Sequence, residues 1–515
     1  MNERPNIVLI FADELRADAL GCYGSPICRT PNLDRFAAES ALFSDCMVTQ
    51  PTCTPSRASI LTGCFPSAIR SRMVGCHTPD DPRLLPRVLG EAGYRTASIG
   101  KLHFVPGSAE PKVLAEARKP DGSYDYYGFQ HVDLVNGHGS GGPEYGRWMN
   151  ERCPDHKERR KAVRPITPGI NNETGSLRTM EWTLPPELHA GEYISARATE
   201  FIERSAETPE APFFLHVSFP DPHHPFTAPE PWGSMYEPER MAPPLPAVTR
   251  ETGATELQLA THRGQRTYFP DGRSADRVIG TPPMDYSSLT IADWQAARAI
   301  YYGMVSLMDE QVGRLLRSLA DNGLAENTVV AFVADHGDYM GDHGYGGKGF
   351  HYDSVTRVPL VIRGPGIESG LRLEGIASTV DLAPTLLSLA GVAPPEATQG
   401  VSMAPALASE GPLPRDAALT ENDDDFVPMR MRTLTSKEWK LTWYCGEEDG
   451  ELYDRRGDPN ELTNRWHDPA VRSVRDSLMH TLLEHVVCAV DSSNGRTQIP
   501  APQVATFTPR KGSVN

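Results

Sequence analysis

Groups that bind metal ions or anions, or that transfer protons, directly follow short apolar runs at four places in the sequence. Runs of this kind, short and rich in β-branched residues, predict buried β-strands. Carboxylate, ammonium and imidazole groups at the ends of such strands could form a reactive site. The four polar clusters are Asp13-Glu14 after residues 6–11, Lys101 and His103 after 96–99, Pro222-His223-His224-Pro225 after 213–219, and Asp335-His336-Gly337 after 328–334.

Helical patterns lie between these predicted strands. Residues 305–319 have apolar side chains at helical spacing and are followed by Asn322-Gly323, a typical helix end, and residues 83–92 also predict a helix. Strands that alternate with helices predict an α/β fold, with a large, mostly parallel sheet flanked by helices. Ligands of such sheets bind beyond the carboxyl ends of the strands, so the four clusters are expected to share one rim and form one site.

Cys53 begins the sequence Cys53-Thr54-Pro55-Ser56-Arg57, which continues to Leu61-Thr62-Gly63. A lone cysteine is usually a small buried thiol. Here, however, the two parts together resemble the signature of the type I sulfatase family, which has an alkaline phosphatase-like fold. In that family a dedicated enzyme oxidises the cysteine to formylglycine, whose hydrated aldehyde is the nucleophile. The resemblance therefore implies a formylglycine at Cys53 and a formylglycine-generating enzyme as a partner.

The resemblance extends along most of the chain and implies one divalent metal ion, calcium or alternatively manganese or magnesium. Asp13 is similar to the family's first metal carboxylate, and Asp335 with His336 is similar to its later metal-binding pair. The residue formed from Cys53 supplies a further ligand. Glu14 stands where many sulfatases have a second aspartate, and is a fifth candidate. His336 stands where many sulfatases have asparagine. A histidine at this position resembles the choline sulfatase and phosphonate monoester hydrolase branches of the family.

The anion-binding residues of the family also have counterparts. Residues 93–103 resemble its second signature, in which a lysine and a histidine reach the formylglycine and the anion. Without Cys53, the same pair would be interpreted as a surface lysine and a structural histidine. Residues 222–225 resemble the Pro-His-x-Pro element of the family, and the lysine after the glycine-rich residues 344–347 resembles its later anion-binding lysine. The implied catalytic set is Cys53, Arg57, Lys101, His103, His223 and Lys348.

The reaction that the resemblance implies is hydrolysis of a small anionic ester. A hydroxyl of the hydrated formylglycine would attack, His223 or Lys348 would protonate the departing alcohol, and His103 would assist release of the anion. Sulfate esters are the first expectation, and phosphonate monoesters or phosphodiesters at the same site are the alternative. A different hypothesis is that Cys53 is not converted and that the chain binds a metal or an anion without turnover.

The length of 515 residues predicts more than one domain. We expect a catalytic domain over residues 1–410 and a smaller C-terminal α+β unit over 411–515, where residues 439–444 and 451–453 predict paired antiparallel strands. Residues 225–290 are rich in proline and glycine and predict a long irregular excursion near the site. Family analogy allows a homo-oligomer.

The formal net charge of −17 disfavours binding to nucleic acids and to anionic lipid surfaces. An anionic substrate therefore needs a local cluster of cations. The nine cysteines are an odd number and too sparse for a disulfide scaffold. Because no apolar run has membrane-spanning length and no signal peptide pattern precedes residue 7, we expect a cytoplasmic protein without a membrane partner, with periplasmic export as the lesser alternative.

Overall fold

The structure, a computed structural model, describes residues 4–107, 109–137, 142–161, 179–208, 210–265, 285–423 and 429–489. Within these residues, nine strands form one large sheet. Its strands are β1 (Asn6–Asp13), β2 (Ala41–Met47), β3 (Arg95–Gly100), β4 (His131–Leu134), β5 (Phe213–Pro222), β6 (Thr328–Ala334), β7 (Arg357–Val358), β8 (Leu360–Arg363) and β9 (Arg372–Ser378).

The order of the strands across the sheet is β4-β3-β5-β1-β6-β8-β2-β7, and β9 also pairs with β2. The first five strands of this order are parallel to one another. Every residue of β1, β5 and β6 is buried, as expected for strands that are covered on both faces. The prediction of a large sheet flanked by helices is confirmed, but the sheet is mixed, because β8 runs antiparallel to both β6 and β2.

Helices surround the large sheet. The helices of the described residues are α1 (Pro31–Ala38), α2 (Cys53–Thr62), α3 (Leu85–Glu91), α4 (Glu110–Glu116), α5 (Pro143–Arg152), α6 (His156–Lys161), α7 (Ala190–Ala206), α8 (Glu256–His262), α9 (Ile291–Asp321), α10 (Asp353–Thr356), α11 (Leu382–Leu389), α12 (Ala404–Leu407) and α13 (Arg472–Ala489). None of these helices is both long and apolar enough to span a membrane.

Helix α9 is much longer than the predicted helix over residues 305–319. It begins at a capping box, in which the Thr290 hydroxyl accepts the Asp293 backbone N–H and the Asp293 carboxylate accepts the Thr290 backbone N–H. The sequence prediction therefore missed the start of the helix. The predicted irregular excursion includes α8, and its residues 266–284 lie outside the described part of the chain.

The C-terminal unit contains a four-stranded antiparallel sheet, covered by α13. Its strands are β10 (Ala417–Asn422), β11 (Met431–Ser436), β12 (Trp439–Tyr444) and β13 (Gly450–Asp454). The pairing of the last two was predicted and is confirmed. Strands β10 and β11 were not predicted. The domain boundary near residue 410 stays a prediction, and residues 490–515 lie outside the described residues.

A buried cluster of charges joins the C-terminal sheet to the catalytic part. The Lys440 ammonium donates to Glu461 Oε1 at 2.6 Å and to the Asp353 carboxylate at the start of α10. Arg455 Nη2 lies 3.1 Å from the second Asp353 oxygen. Lys440 and Glu461 are 1% and 3% exposed. Charges buried to this degree stabilise a structure only while they are paired.

We predict that Lys440→Met lowers the free energy of unfolding by about 3 kcal/mol, because two carboxylates lose their shared cation. This loss is at the low end of the cost of breaking a buried ion pair. Asp353 keeps Arg455 as a partner, and burial raises the pKa of Glu461 to about 7, so its carboxyl can take up a proton. Urea denaturation of both proteins measures the difference. Lys437→Met, an exposed lysine in the same hairpin, is the control. Equal losses in the two variants would contradict the prediction.

Candidate active site

The four polar clusters lie at the carboxyl ends of adjacent parallel strands, as predicted. Asp13 is the last residue of β1, and Asp335 directly follows β6. Lys101 directly follows β3, and His223 directly follows β5. Because these four strands are neighbours in the order β3-β5-β1-β6, residues more than 300 positions apart in the sequence meet at one edge.

Cys53 is the first residue of α2, the helix that begins over this edge. Thr52, in extended conformation, precedes the helix, and Gly63, with a left-handed φ of 65°, ends it. All ten residues of α2 are buried. The Cys53 side chain therefore lies at the helix N-terminus, where the backbone dipole favours negative charge.

Four side chains form a group that could hold a metal ion. One potential ligand atom from each of Asp13, Cys53, Asp335 and His336 lies within 4.8 Å of every other. Cys53 Sγ, which stands where a formylglycine oxygen would be, lies 3.1 Å from His336 Nε2 and 3.6 Å from Asp13 Oδ1. Two carboxylates, an imidazole and an oxygen fit a hard divalent cation.

The His336 ring has the orientation of a metal ligand. Its Nδ1 lies 2.9 Å from the Gly337 carbonyl, which can only accept, so Nδ1 donates and Nε2 faces Cys53. Although burial opposes the charged form, Asp335 raises the pKa of His336 to about 9. A divalent cation at Nε2 would replace that proton.

The guanidinium of Arg57, 1% exposed, holds the two aspartates of this group. Its Nε donates to Asp335 Oδ2 at 2.6 Å, and its Nη2 lies 3.6 Å from Asp13 Oδ2. Nη1 donates to the Lys101 carbonyl at 2.6 Å and to the Ser218 hydroxyl at 2.8 Å. Arg57 thus links α2 to strand ends from across the parallel part of the sheet.

The charges beside Asp13 keep it ionised. Burial alone would raise the pKa of Asp13, but Lys101, His223 and Arg57 hold it at about 2. The Lys101 ammonium makes a very short contact with the Asp13 carboxylate. Asp335 differs, because burial outweighs Arg57 and raises its pKa.

Two lysine ammonium groups lie close to Cys53 and also contact the metal group, since Lys101 Nζ contacts Asp13 and Lys348 Nζ lies 3.2 Å from His336 Nε2. Lys348 Nζ lies 3.4 Å and Lys101 Nζ 3.9 Å from Cys53 Sγ. Burial alone would raise the pKa of the Cys53 thiol, but Lys101, Lys348 and His336 hold it well below its usual range. Position 53 is therefore surrounded by groups that stabilise negative charge.

Glu14 contacts Lys348, His223 and His224. Lys348 Nζ is 3.2 Å from Glu14 Oε1, and both His223 Nε2 and His224 Nδ1 are 3.3 Å from Glu14 Oε2. Despite its burial, Lys348, His223 and the hydrogen bond with His224 hold the pKa of Glu14 well below its usual value. The side chain thus forms a second group with the two histidines, apart from the group around Asp13. Its role as a metal ligand stays a prediction.

The two predicted catalytic histidines have opposite pKa shifts. Burial and the Lys101 ammonium lower the pKa of His103, whose backbone carbonyl accepts the Thr54 hydroxyl at 2.9 Å. Burial would also lower the pKa of His223, but Glu14 and Asp13 raise it. His103 is therefore poised to accept a proton and His223 to donate one.

The sequence interpretation missed two residues that hold the site in place. Ser218, which accepts from Arg57, was taken as part of the apolar strand 213–219, although a small polar residue in such a run is itself a signal. Asp338 lies directly after the Asp335-His336-Gly337 motif. Its Oδ1 accepts the Gly347 N–H at 3.1 Å and so fixes the residue before Lys348.

Comparison with known proteins shows the family to which the chain is similar. A family model described as Sulfatase matches residues 5–392, and one described as N-sulphoglucosamine sulphohydrolase, C-terminal, matches residues 341–487. The chain is 28% identical to an arylsulfatase of Clostridium perfringens, over 94% of each protein. It is 27% identical to a choline-sulfatase of Rhizobium meliloti, over 90% of this chain and 83% of the relative.

Solved structures agree as well. The phosphonate monoester hydrolase of Agrobacterium radiobacter has a TM-score of 0.75 and 27% sequence identity, covering 95% of this chain and 96% of that protein. The alkaline phosphatase-like fold and the resemblance stated from the Cys53 motif are thereby confirmed. Because the family model matches most of the chain, including every predicted site residue, the protein belongs to the sulfatase family, a family of sulfuric ester hydrolases.

Proposed function

We propose that the chain hydrolyses sulfate esters, with a formylglycine formed from Cys53 as the nucleophile and one divalent metal ion held by Asp13, Asp335 and His336. The observation that carries this proposal is the set of groups around Cys53. His336 Nε2, Lys348 Nζ, Asp13 Oδ1 and Lys101 Nζ lie 3.1, 3.4, 3.6 and 3.9 Å from its Sγ, so a potential metal site and two ammonium groups meet at position 53.

The arrangement suits a reaction at a shielded anionic centre. The oxygens of a sulfuryl group repel an incoming nucleophile, and cations around them lower this repulsion and stabilise charge in the transition state. When present, the metal ion supplies part of this charge and the formylglycine supplies a hydroxyl nucleophile. Lys101 and Lys348 bind the remaining oxygens of the ester, and Arg57 orients the two aspartates.

Two residues can protonate the departing alcohol. His223 Nε2 and Lys348 Nζ both lie beside Glu14, which favours their charged forms. His103 has the opposite character, and we assign to it the uptake of a proton from position 53. The proposed acids thus lie beside a carboxylate, and the proposed base His103 lies beside the Lys101 ammonium, within one site.

A phosphonate monoester or phosphodiester hydrolase activity is the second candidate. Such esters carry one negative charge, as a sulfate monoester does, and the similar structure from Agrobacterium radiobacter is a phosphonate monoester hydrolase. The further alternative is a chain that binds a metal or an anion without turnover. We also propose a cytoplasmic location, which the nine free thiols support, and conversion of Cys53 by a formylglycine-generating enzyme. A homo-oligomer stays a prediction.

The first prediction concerns the nucleophile. Cys53→Ala removes nearly all turnover of an aryl sulfate and leaves the thermal midpoint close to that of the wild type, because the core strands are unchanged. Cys28→Ala, at another buried cysteine, is the control and keeps its activity. Mass spectrometry of the tryptic peptide over residues 36–57 shows whether position 53 is formylglycine. Substantial turnover by Cys53→Ala would show that another group attacks.

The second prediction concerns the metal ion. Asp335→Asn lowers the metal content per chain, measured by plasma mass spectrometry after dialysis, because a carboxylate ligand is lost. Asp338→Asn, at a buried carboxyl three residues away, keeps its metal. Burial and Glu14 raise the pKa of Asp338 to about 8, so this change leaves the charge almost unaltered near neutral pH. Equal metal contents in the two variants would exclude Asp335 as a ligand.

The third prediction concerns the preferred anion. In the described site Arg57, Lys101 and Lys348 are offset by Asp13, Asp335 and Glu14, so a divalent ion leaves only a modest excess of positive charge. We therefore expect singly charged esters to be hydrolysed better than phosphate monoesters, with sulfate first. The measurement is kcat/KM for an aryl sulfate, a phosphonate monoester, a phosphodiester and a phosphate monoester with one shared leaving group.

Glu14→Gln tests the same charge argument within the site. Removal of this carboxylate should raise the efficiency ratio of phosphate monoester to sulfate ester by about tenfold, because the doubly charged ester gains more from the added positive potential. An unchanged ratio would contradict the charge argument. A phosphonate or phosphodiester that exceeds sulfate in the wild type would favour the second candidate function.

A further inference from the structure

We propose that Asn422, the last residue of β10 in the C-terminal sheet, is a positioning residue that sets the distance between position 53 and Lys348. The inference rests on the proposed function, in which these two groups act on the same ester. Asn422 is fully buried, and its carboxamide contacts Gln50 and Gly349. It acts through the backbone on each side.

On the nucleophile side, Asn422 holds the segment that leads into α2. Its Oδ1 accepts from Gln50 Nε2 at 3.3 Å. Gln50 Oε1 in turn accepts the Thr52 backbone N–H at 2.6 Å and the Thr52 hydroxyl at 2.5 Å. Thr52 directly precedes Cys53, and both Gln50 and Thr52 are buried. Two steps of hydrogen bonding thus connect the C-terminal sheet to the first turn of the nucleophile helix.

On the lysine side, Asn422 Nδ2 donates to the Gly349 carbonyl at 3.5 Å. The peptide before Lys348 has its own anchor, because the Gly347 N–H donates to Asp338. Gly347 and Gly349 have left-handed φ values of 70° and 143°. Glycines with this freedom leave the backbone around Lys348 weakly restrained by itself. Its position therefore depends on hydrogen bonds from other segments. Tyr339 holds the Gly347 and Phe350 carbonyls, and Asn422 holds the Gly349 carbonyl between them.

The two sets of hydrogen bonds meet at one carboxamide. The same Asn422 side chain contacts Gln50, in the segment before Cys53, and Gly349, the residue after Lys348. Cys53 Sγ and Lys348 Nζ lie 3.4 Å apart. Gln50 and Asn422 are 372 positions apart in the sequence, so this connection exists only in the folded chain. A misplacement of Lys348 relative to the ester would weaken its contact with the leaving group and with the bound anion.

The test compares three variants. Asn422→Leu has a similar shape but makes neither hydrogen bond, and Asn422→Ser adds no apolar group but is too short to reach both partners. Thr420→Val is the matched control. Thr420 is buried in the same strand, and its hydroxyl donates at 2.6 Å to the carbonyl of Val48, which is farther along the chain from Cys53 than Gln50 is. Activities are normalised to the formylglycine content of each protein, and thermal midpoints report folding.

We expect both Asn422 variants to lose kcat by roughly 10- to 100-fold on an alkyl sulfate, with a smaller change in KM. The loss should be smaller for a nitrophenyl sulfate, whose leaving group needs less protonation, and Thr420→Val should behave as the wild type. If Asn422 had a purely structural role, its substitution would lower kcat equally for all substrates. Losses in the Asn422 variants that do not depend on the leaving group, or that match those of Thr420→Val, would overturn the proposal.

A second measurement does not depend on turnover. The affinity for inorganic sulfate, measured by calorimetry, should fall at least about fivefold in Asn422→Leu and Asn422→Ser and stay unchanged in Thr420→Val. Unchanged affinity in the Asn422 variants would overturn the positioning role. Absence of turnover in a fully converted wild-type enzyme, together with the expected loss of sulfate affinity, would instead refute the proposed hydrolysis and retain the role of Asn422.

Discussion

The site depends on one buried guanidinium. Arg57 is 1% exposed, and a cation at such depth is stable only with partners that surround it. Asp335, the Lys101 carbonyl and Ser218 accept its hydrogen bonds, and Asp13 lies beside it. These partners lie within or directly after four neighbouring strands. The requirement to pair Arg57 therefore fixes where the strand ends meet and how the two carboxylates face Cys53.

Burial of so many charges is tolerated because they nearly compensate one another. Arg57, Lys101 and Lys348 lie among Asp13, Asp335 and Glu14, and each cation has at least one carboxylate partner. Their mutual attraction is also what moves the pKa values of Asp13 and Glu14 down and that of His223 up. A divalent ion added to such a balanced group creates an excess of positive charge, and a bound anion restores the balance. This gives a physical reason for a metal-dependent site to select anions.

The sequence alone predicted what depends on local patterns. Apolar runs followed by polar residues identified the ends of β1, β3, β5 and β6, because buried parallel strands are short and continuous in apolar residues. The motif from Cys53 to Gly63 identified α2 and the family. In contrast, β10, β11, the antiparallel part of the large sheet and the role of Asp338 could not be predicted. They depend on pairings between distant residues, such as Gln50 with Asn422, that leave no periodic trace in the sequence.

The net charge of −17 and the cationic site act over different distances. Salt screens the field of the whole protein beyond about 8–10 Å, so a substrate in solution experiences only weak repulsion. Within the site the Lys101 and Lys348 ammonium groups lie within 4 Å of Cys53 Sγ, where low dielectric strengthens their attraction for an anion. An ester must therefore bring its anionic group into direct contact to gain affinity. Contacts made at that range, including the distance from position 53 to Lys348, then matter more for selection of substrate than the charge of the surface.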